Sequence, residues 1–386
     1  MTQQTLHIRK VENDADFKAF FEFPWQLYKQ DTHWVPPLVS MRAEAFDRKR
    51  GPAWEYLEGD FFTAWRGEQI VGTIAAYINH RHNEFHDERI GWFGAFECQQ
   101  DSEAAAALLE AAVAWVKAKK YPIIRGPQTF TTHEDTGLLV EGFDYPPVLL
   151  YPYNPPYYAR FIEDAGFAKA MDMVSFKFDR QTTEARGTLA RLERITQAVM
   201  RRNKIVIRPF NNKARRAEFE LIKELYNAGW EKNWGFVPLT ERELNGLIDS
   251  LSTFLDPRMV YFGYVNDQPA GFILGIPDFN QVLHKVYARP GRPELLSLVK
   301  ALYYWKIRPI MNWTRVPLMG VKAEYRNKGV DAAMYFYLMR TMLTETEYTH
   351  NDSGWVLEIN KNLIGIVDNF GGETYKRFRL YERAVE

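Results

Sequence analysis

The order of periodic segments occurs twice along this chain, and that duplication limits its possible folds more than any other feature. The first half opens with the alternating stretch LHIRKV, as a half-buried strand does, and passes into the amphipathic DADFKAFFEFPWQLYK, with Asp14 or Asp16 placed as a helix cap. The strand-like DFFTAWRG, QIVGTIAAYIN and RIGWFGAFEC follow. A long helix from Ser102 to about Lys119 then lines up Leu108, Leu109, Ala112, Val113 and Val116 on one face. PIIRG, the short helix PYYARFIEDAGF and the strand MVSFKF close the half. The second half repeats the plan with KIVIRPF, the helices RRAEFELIKELYNAGW and TERELNGLIDSL, and the strands MVYFGYV, AGFILGIP and VPLMGVK. Thr240 and Glu243 have the spacing of a capping box. A nearly all-apolar helix from about Val330, then WVLEI, LIGIVDNFGG and TYKRFRLYE, complete it. The pattern predicts an α/β (α+β) chain of two similar domains, 1–180 and 205–386, each a mixed, mostly antiparallel sheet flanked by helices. The spacing of Leu189, Leu192, Ile195 and Val199 predicts a helix over 181–204; its arginines could bind RNA but read better as the solvated face of a connecting helix.

Composition narrows the function classes. Lysine plus arginine equal aspartate plus glutamate at 49 each, so no bulk field selects a nucleic-acid partner. One cysteine, Cys98, excludes an intramolecular disulfide framework. No apolar run approaches the length of a membrane span and MTQQTLHIRK has no signal-peptide pattern, so the expectation is a cytoplasmic protein. Aromatics reach 15%, which suits thick cores between sheets and helices, or a groove for an apolar ligand.

The stretch VKAEYRNKGVDAAM leads from a predicted strand through a turn into the apolar helix. Gly329 lets backbone approach a ligand closely, and the first N–H groups of the helix point outward with no partner within it. Such a terminus favours an anion by roughly 0.3–1 kcal/mol per exposed charge. Arg326 and Lys328 add positive charge there, while Asp331 opposes an anion unless it turns aside to cap the helix. This strand-turn-helix resembles the signature of the GCN5-related N-acetyltransferases, the acyl-CoA N-acyltransferase superfamily. Asp331 stands where that family has a small residue, and Ala323 where it often has proline. The corresponding CQQDSEAAAA of the first half has Ser102 as a predicted N-cap, no glycine, and carboxylates Asp101 and Glu103 where a pyrophosphate needs hydrogen-bond donors. The first domain is therefore expected to keep the fold and lack the cofactor site.

The resemblance implies acetyl-CoA or a longer acyl-CoA as co-substrate, with no metal, and the amine of a small molecule or peptide as acceptor. It puts the acyl donor against Val321, Arg326, Asn327, Lys328, Gly329, Val330, Asp331 and Ala332, with Asn360 on the asparagine of the family's pattern. General-base candidates are Glu324 and Glu358, the latter read as lying on a strand. The family's acidic tyrosine falls on Val367; Tyr375 or Tyr381 is the substitute. The acceptor loop of the fold corresponds to NAGWEKNWGFVPLT, where Asn227, Asn233, Trp230, Trp234 and Phe236 could wall a ligand. FPWQLYKQDTHWVPPL, GPQTFTTHEDTGLLVEGFDYPP, YNPPYYARFIEDAGF, YNAGWEKNWGFVPLT and NFGGETYKRFRLYE resemble a family of largely uncharacterised bacterial acyltransferase-like proteins. Two alternatives stay open: a non-catalytic binding protein on this fold, and an aminoacyl-tRNA-dependent peptidyl transferase.

Other groupings carry less. His80, His82 and His86 fall in NHRHNEFHDE, read as an exposed hairpin. His133 and Glu134 lack the second histidine of a zinc-protease helix, and Cys98 reads as a buried thiol.

Overall fold

The computed structural model describes residues 5–132, 134–230 and 234–385. Through the first half the elements are β1 (Leu6–Lys10), α1 (Asp14–Leu27), α2 (Val39–Phe46), β2 (Leu57–Arg66), β3 (Gln69–Asn79), α3 (His80–His86), β4 (Ile90–Cys98), α4 (Ser102–Ala118), β5 (Ile123–Gly126), β6 (Leu138–Glu141), α5 (Tyr158–Asp164) and β7 (Ala168–Asp179). Two helices follow, α6 (Arg180–Ala185) and α7 (Thr188–Asn203). The second half runs β8 (Ile205–Pro209), α8 (Arg215–Trp230), α9 (Glu241–Phe254), β9 (Val260–Val265), β10 (Gln268–Pro277), α10 (Asn280–Val286), α11 (Glu294–Leu302), β11 (Trp313–Val321), α12 (Val330–Glu345), β12 (His350–Leu357), α13 (Lys361–Asn369) and β13 (Glu373–Ala384). The plan is thus repeated, with α3 in one copy replaced by α10 and α11 in the other.

These elements form two compact units. One takes the chain up to Met173, then Leu283–Tyr303 and everything from Lys376 on; the other takes Val174–Val282 and Tyr304–Tyr375. No single boundary near 181–204 divides them. The last strand of each half has changed places. From Val174 on, β7 belongs to the second unit, next to β12, whereas β13 from Lys376 on pairs antiparallel with β5 and β6 of the first.

In the first unit β1, β2, β3 and β4 are antiparallel neighbours, and β4 is parallel to β5. The stripe on α4 seats Ala105, Leu108, Leu109, Ala112 and Val116 against Ala64, Val71, Ile74, Phe93 and Ile124. Each fully buried leucine there is worth about 1.5–3 kcal/mol. Much of the aromatic content is core: Phe20 stacks on Phe61 at 4.8 Å, and Phe130 meets Trp54 at 4.9 Å and Phe46 at 5.0 Å. Asn13 caps α1, accepting from the amides of Ala15 and Asp16, in place of the expected Asp14 or Asp16. The predicted hairpin at 80–88 is instead the helix α3. Asn79 caps it, and buried His82 sits 2.9 Å from Glu88 through Nε2.

In the second unit β8, β9, β10 and β11 are antiparallel and β11 is parallel to β12. Its α12 is apolar nearly all round because it is covered on both sides. Val330, Ala333, Met334, Phe336, Leu338 and Met342 are buried in one cluster with sheet residues Tyr261 and Ile273 and with Leu192 of α7. Leu189, Val199 and Met200 pack on the same cluster, so α7 is a structural helix of this unit rather than a solvated connector. Thr240 and Glu243 form the full capping box at α9, each side chain bonding the other's backbone amide. Among the described residues, no helix is long and apolar enough to cross a membrane.

Candidate active site

A parallel strand pair carries the candidate site in the second unit. The β11–β12 ladder runs from Trp313 opposite His350 to Val316 opposite Ser353, and ends there. β11 continues to Val321 and β12 to Leu357, so the two strands diverge into a wedge. Half-buried Pro317, Met319 and Val321 stand on one strand beyond that point, and half-buried Trp355 and Leu357 on the other. Strand edges that leave a ladder still need hydrogen-bond partners. A ligand with an extended, amide-bearing arm can supply them.

The first unit has the same parallel pair, Ile90–Trp92 with Ile123–Arg125 in register, but its wedge is filled by its own chain. Gln128 N–H donates to the Phe93 carbonyl at 2.9 Å, and the Gln128 carbonyl accepts from the Tyr77 hydroxyl at 2.9 Å. A Cβ on Gly94 would lie 1.8 Å from the Gln128 oxygen, and one on Gly126 2.3 Å from the Phe93 oxygen. Only glycine permits so close an approach. The helix that follows is also closed to anions. Asp101, one residue before the predicted cap Ser102, accepts from Ala104 N–H at 3.0 Å. Arg66 bridges Asp101 at 2.5 Å and Glu103 at 2.6 Å, and holds the Asp101 carboxyl below its ordinary range.

The turn at 322–329 of the second unit is built differently from the expectation in several details. Arg326 is turned inward: Nε donates to the Val321 carbonyl at 3.3 Å and an Nη to that of Gly229 at 2.8 Å, tying the turn to the end of α8. Asn327 has φ 60° and accepts from Asn362 at 3.1 Å. Lys328 is exposed, with its ammonium 5.1 Å over the Tyr325 ring. Gly329 has φ 84° and precedes α12 with no side-chain cap. A Cβ there would stand 2.6 Å from Val199, so α7 also presses on the turn. Asp331 accepts from Ala332 N–H at 2.9 Å, occupying one of the amides at the helix start, and Val330 is buried in the core.

The other predicted residues separate. Tyr375 donates to Asp352 Oδ2 at 2.7 Å. Asp352, fully buried, also accepts from Ser175 at 2.5 Å and lies 3.7 Å from Arg315 Nε. Since Arg315 and Asp352 form the rung before the last of the β11–β12 ladder, this cluster sits at the closed end of the wedge. Glu324 is exposed in the turn, and Glu358 lies just past β12, not on a strand. Asn360 caps α13, accepting from Leu363 N–H at 3.2 Å, which is a structural task. Tyr381 is buried in the first unit, its hydroxyl 3.0 Å from Glu163. In the acceptor loop Asn227 is exposed and Trp234 half-buried, but Phe236 is core, 5.7 Å from the Tyr226 ring. Asn233 and His133 lie outside the described residues, as does the Trp230 side chain.

One acid–base group was not anticipated. Glu97, on β4 of the first unit, accepts hydroxyls from Tyr28 at 2.6 Å and Tyr158 at 2.9 Å. Burial pushes its carboxyl up to about 7, against the lowering effect of those two bonds. A half-buried carboxyl of that kind can take or give a proton at neutral pH. Cys98 next to it is buried, and burial pushes its thiol up to about 12, so it is no nucleophile. Tyr28 stacks on Trp34 at 5.1 Å, and Trp34 in turn meets Tyr287 of the Leu283–Tyr303 segment. FPWQLYKQDTHWVPPL held Tyr28 and Trp34, and YNPPYYARFIEDAGF held Tyr158; what they converge on could not be read from spacing.

No protein-family model matches the chain. It is 33% identical over 381 residues to Protein YghO of Escherichia coli (strain K12), covering 98% of this chain and 95% of that one. It is 31% identical over 391 residues to the bacterial ceramide synthase of Caulobacter vibrioides, covering 100% and 99%. Among solved structures it is similar to a tandem GNAT protein from the clavulanic acid biosynthesis pathway, with TM-score 0.52, 11% identity and 99% of each chain covered. It is also similar to the GCN5-related glucosamine N-acetyltransferase region of a fungal multi-domain β-N-acetylglucosaminidase, with TM-score 0.56, 13% identity, and 99% and 38% covered. The chain has the tandem fold of the GCN5-related N-acetyltransferases.

Proposed function

We propose, from the fact that this chain belongs to the family of Protein YghO and the bacterial ceramide synthase, that it is an N-acyltransferase using an acyl-CoA. The acyl donor binds in the second unit, and the acceptor is the amine of a long-chain amino alcohol or related lipid amine. The observation that carries the reading is the contrast between the two copies. In the second unit the β11–β12 pairing stops at Val316–Ser353 and leads to a glycine-started helix without a side-chain cap, whereas the equivalent wedge of the first unit is filled by its own chain and the equivalent helix closed by Arg66. Gly329, the amides of Val330 and Asp331, and Lys328 are the groups available to a pyrophosphate; Arg326, bonded to two carbonyls, holds the turn in shape.

In this reading the neutral amine attacks the thioester carbonyl, the C–N bond forms, and the C–S bond breaks. Glu358 takes the proton from nitrogen and releases it to solvent, and Tyr375 gives its proton to the departing thiolate once its hydroxyl turns from Asp352, then regains one from solvent. The Asp352 carboxylate fixes the Tyr375 hydroxyl. The relative's name supports the acceptor class, because a ceramide is an amide of a long-chain amino alcohol.

The inward Arg326 and the Asp331–Ala332 bond favour a second reading, a binding protein without turnover. Thermal-shift titration with CoA, acetyl-CoA and a long-chain acyl-CoA tests both. Ligand at 100 times its Kd stabilises the folded state by about 2.7 kcal/mol, a shift of several degrees. A shift that K328A weakens, together with amide formation from a lipid amine, is the expected result. A shift without turnover selects the second reading, and no shift with any of the three rejects both.

A further inference from the structure

The helix α11 turns outward the side chains that a helix of its length ordinarily buries. Leu295, Leu296, Leu298, Val299 and Leu302 are between 47% and 69% exposed, and within the helix Ala301 is the residue that is buried. This is not a loosely held segment. Glu294 at its start accepts from Ser40 N–H at 2.8 Å and Ser40 Oγ at 2.5 Å, and Lys300 donates to the Val286 carbonyl at 3.3 Å. Just before it, Trp25 donates its indole N–H to the Ala288 carbonyl at 2.7 Å. The helix is therefore fixed at its base while its aliphatic side chains face water, an arrangement that a soluble surface does not keep without an apolar partner.

Charge identifies the partner. In a chain whose acids and bases balance, the Leu283–Tyr303 segment has four basic side chains, Lys285, Arg289, Arg292 and Lys300, against one carboxylate, Glu294. All four basic residues are exposed, and the carboxylate is engaged by Ser40. We propose that α11 inserts its aliphatic side chains at the surface of an anionic lipid bilayer, with these cations at the level of the headgroups. Leucines for the acyl boundary with lysine and arginine around them are the composition of an in-plane interfacial helix. A second copy of this chain fits less well, because a symmetric contact through α11 brings the same cations of both copies together. The repeat itself marks the segment as an addition: the place that α10 and α11 fill between β10 and β11 is filled in the first copy by α3 alone. Lying on a bilayer requires no membrane-spanning helix. The inference is independent of the proposed chemistry, since vesicle binding needs neither acyl donor nor acceptor.

The test is sedimentation of the full chain with sucrose-loaded vesicles, either phosphatidylcholine alone or phosphatidylcholine mixed with phosphatidylglycerol. The expected result is binding to the mixed vesicles at least about tenfold tighter than to the neutral ones, lost in high salt. The variant L295E/L298E/V299E should bind the mixed vesicles about 100-fold more weakly. Its unfolding midpoint should match the parent's, because the replaced side chains are exposed. R289E/R292E, which keeps the leucines, should remove the preference for the acidic lipid. Equal sedimentation of the parent and the triple variant would overturn the proposal. So would a parent that ignores vesicles but is a dimer by light scattering, with L298E making it a monomer; the face would then be covered by a second copy.

Discussion

Replacing Glu97 with glutamine gives a pH signature whose size follows from its surroundings. The carboxyl moves from an ordinary 4.5 to about 7 on folding, with burial as the main cause. The folded state therefore holds the proton more tightly than the unfolded chain. The resulting stability is fully present below about pH 4.5, declines as pH rises between the two values, and is gone above about 7. At about 1.36 kcal/mol per pH unit the ceiling is roughly 3 kcal/mol, and about 2 kcal/mol once partial solvent access is allowed for. Glutamine is neutral throughout and keeps an oxygen for the hydroxyls of Tyr28 and Tyr158. E97Q should lie within about 0.5 kcal/mol of the parent near pH 5 and exceed it by about 2 kcal/mol at pH 8. Urea unfolding of both proteins at intervals from pH 5 to 8 measures the difference. If the two stability profiles run parallel across that range, Glu97 is not held protonated by its burial, and the acid–base role inferred from it fails.

Three further substitutions test the rest of the site. G329A should cost about 2–3 kcal/mol in urea unfolding, part from the left-handed backbone and part from overlap with Val199. G329A/V199A should recover the overlap but not the backbone cost, so a double variant worse than the sum of the singles refutes the geometry. G94A should destabilise the first unit by 3 kcal/mol or more, on the order of a buried clash, because the Gln128 backbone cannot yield; solubility and the midpoint of unfolding report it. Y375F leaves Asp352 with Ser175 and Arg315 and should lose about 1–2 kcal/mol. A fall in kcat larger than that stability loss implies is the mark of a proton donor, and an unchanged kcat removes Tyr375 from the mechanism.

What could be read in the sequence was local. The stripe on α4, the all-apolar α12 and the Thr240–Glu243 capping box are decided by residues within a few positions of one another, and the structure has them where periodicity put them. The same holds for the carboxylates at the start of α4, although the cap slipped from Ser102 to Asp101, since both residues can fill that role. What could not be read depended on distant partners. Nothing near Glu97 signals a raised carboxyl, because its two hydroxyl partners come from positions 28 and 158. Phe236 looked like a pocket wall until Tyr226 proved to be its neighbour. Arg326 looked like a phosphate ligand until the Gly229 carbonyl proved to hold it. The glycines that allow chain to fill the first wedge, Gly94 and Gly126, are unremarked in a strand pattern until the segment they meet is known. α7 had the apolar spacing of a packed helix, but its arginines suggested solvent.

The reciprocal placement of β7 and β13 bears on how such a chain can change over generations. After a duplication, one of the two copies would ordinarily be free to decay or to be cut away. Here it is not. Deleting the first half would remove the strand that borders β12, and deleting the tail of the second would strip β5 of its partner on the side away from β4. Each half is a hostage to the other's sheet. The first copy is thus protected by architecture rather than by chemistry, which leaves its surface and the surroundings of Glu97 free to acquire tasks of their own.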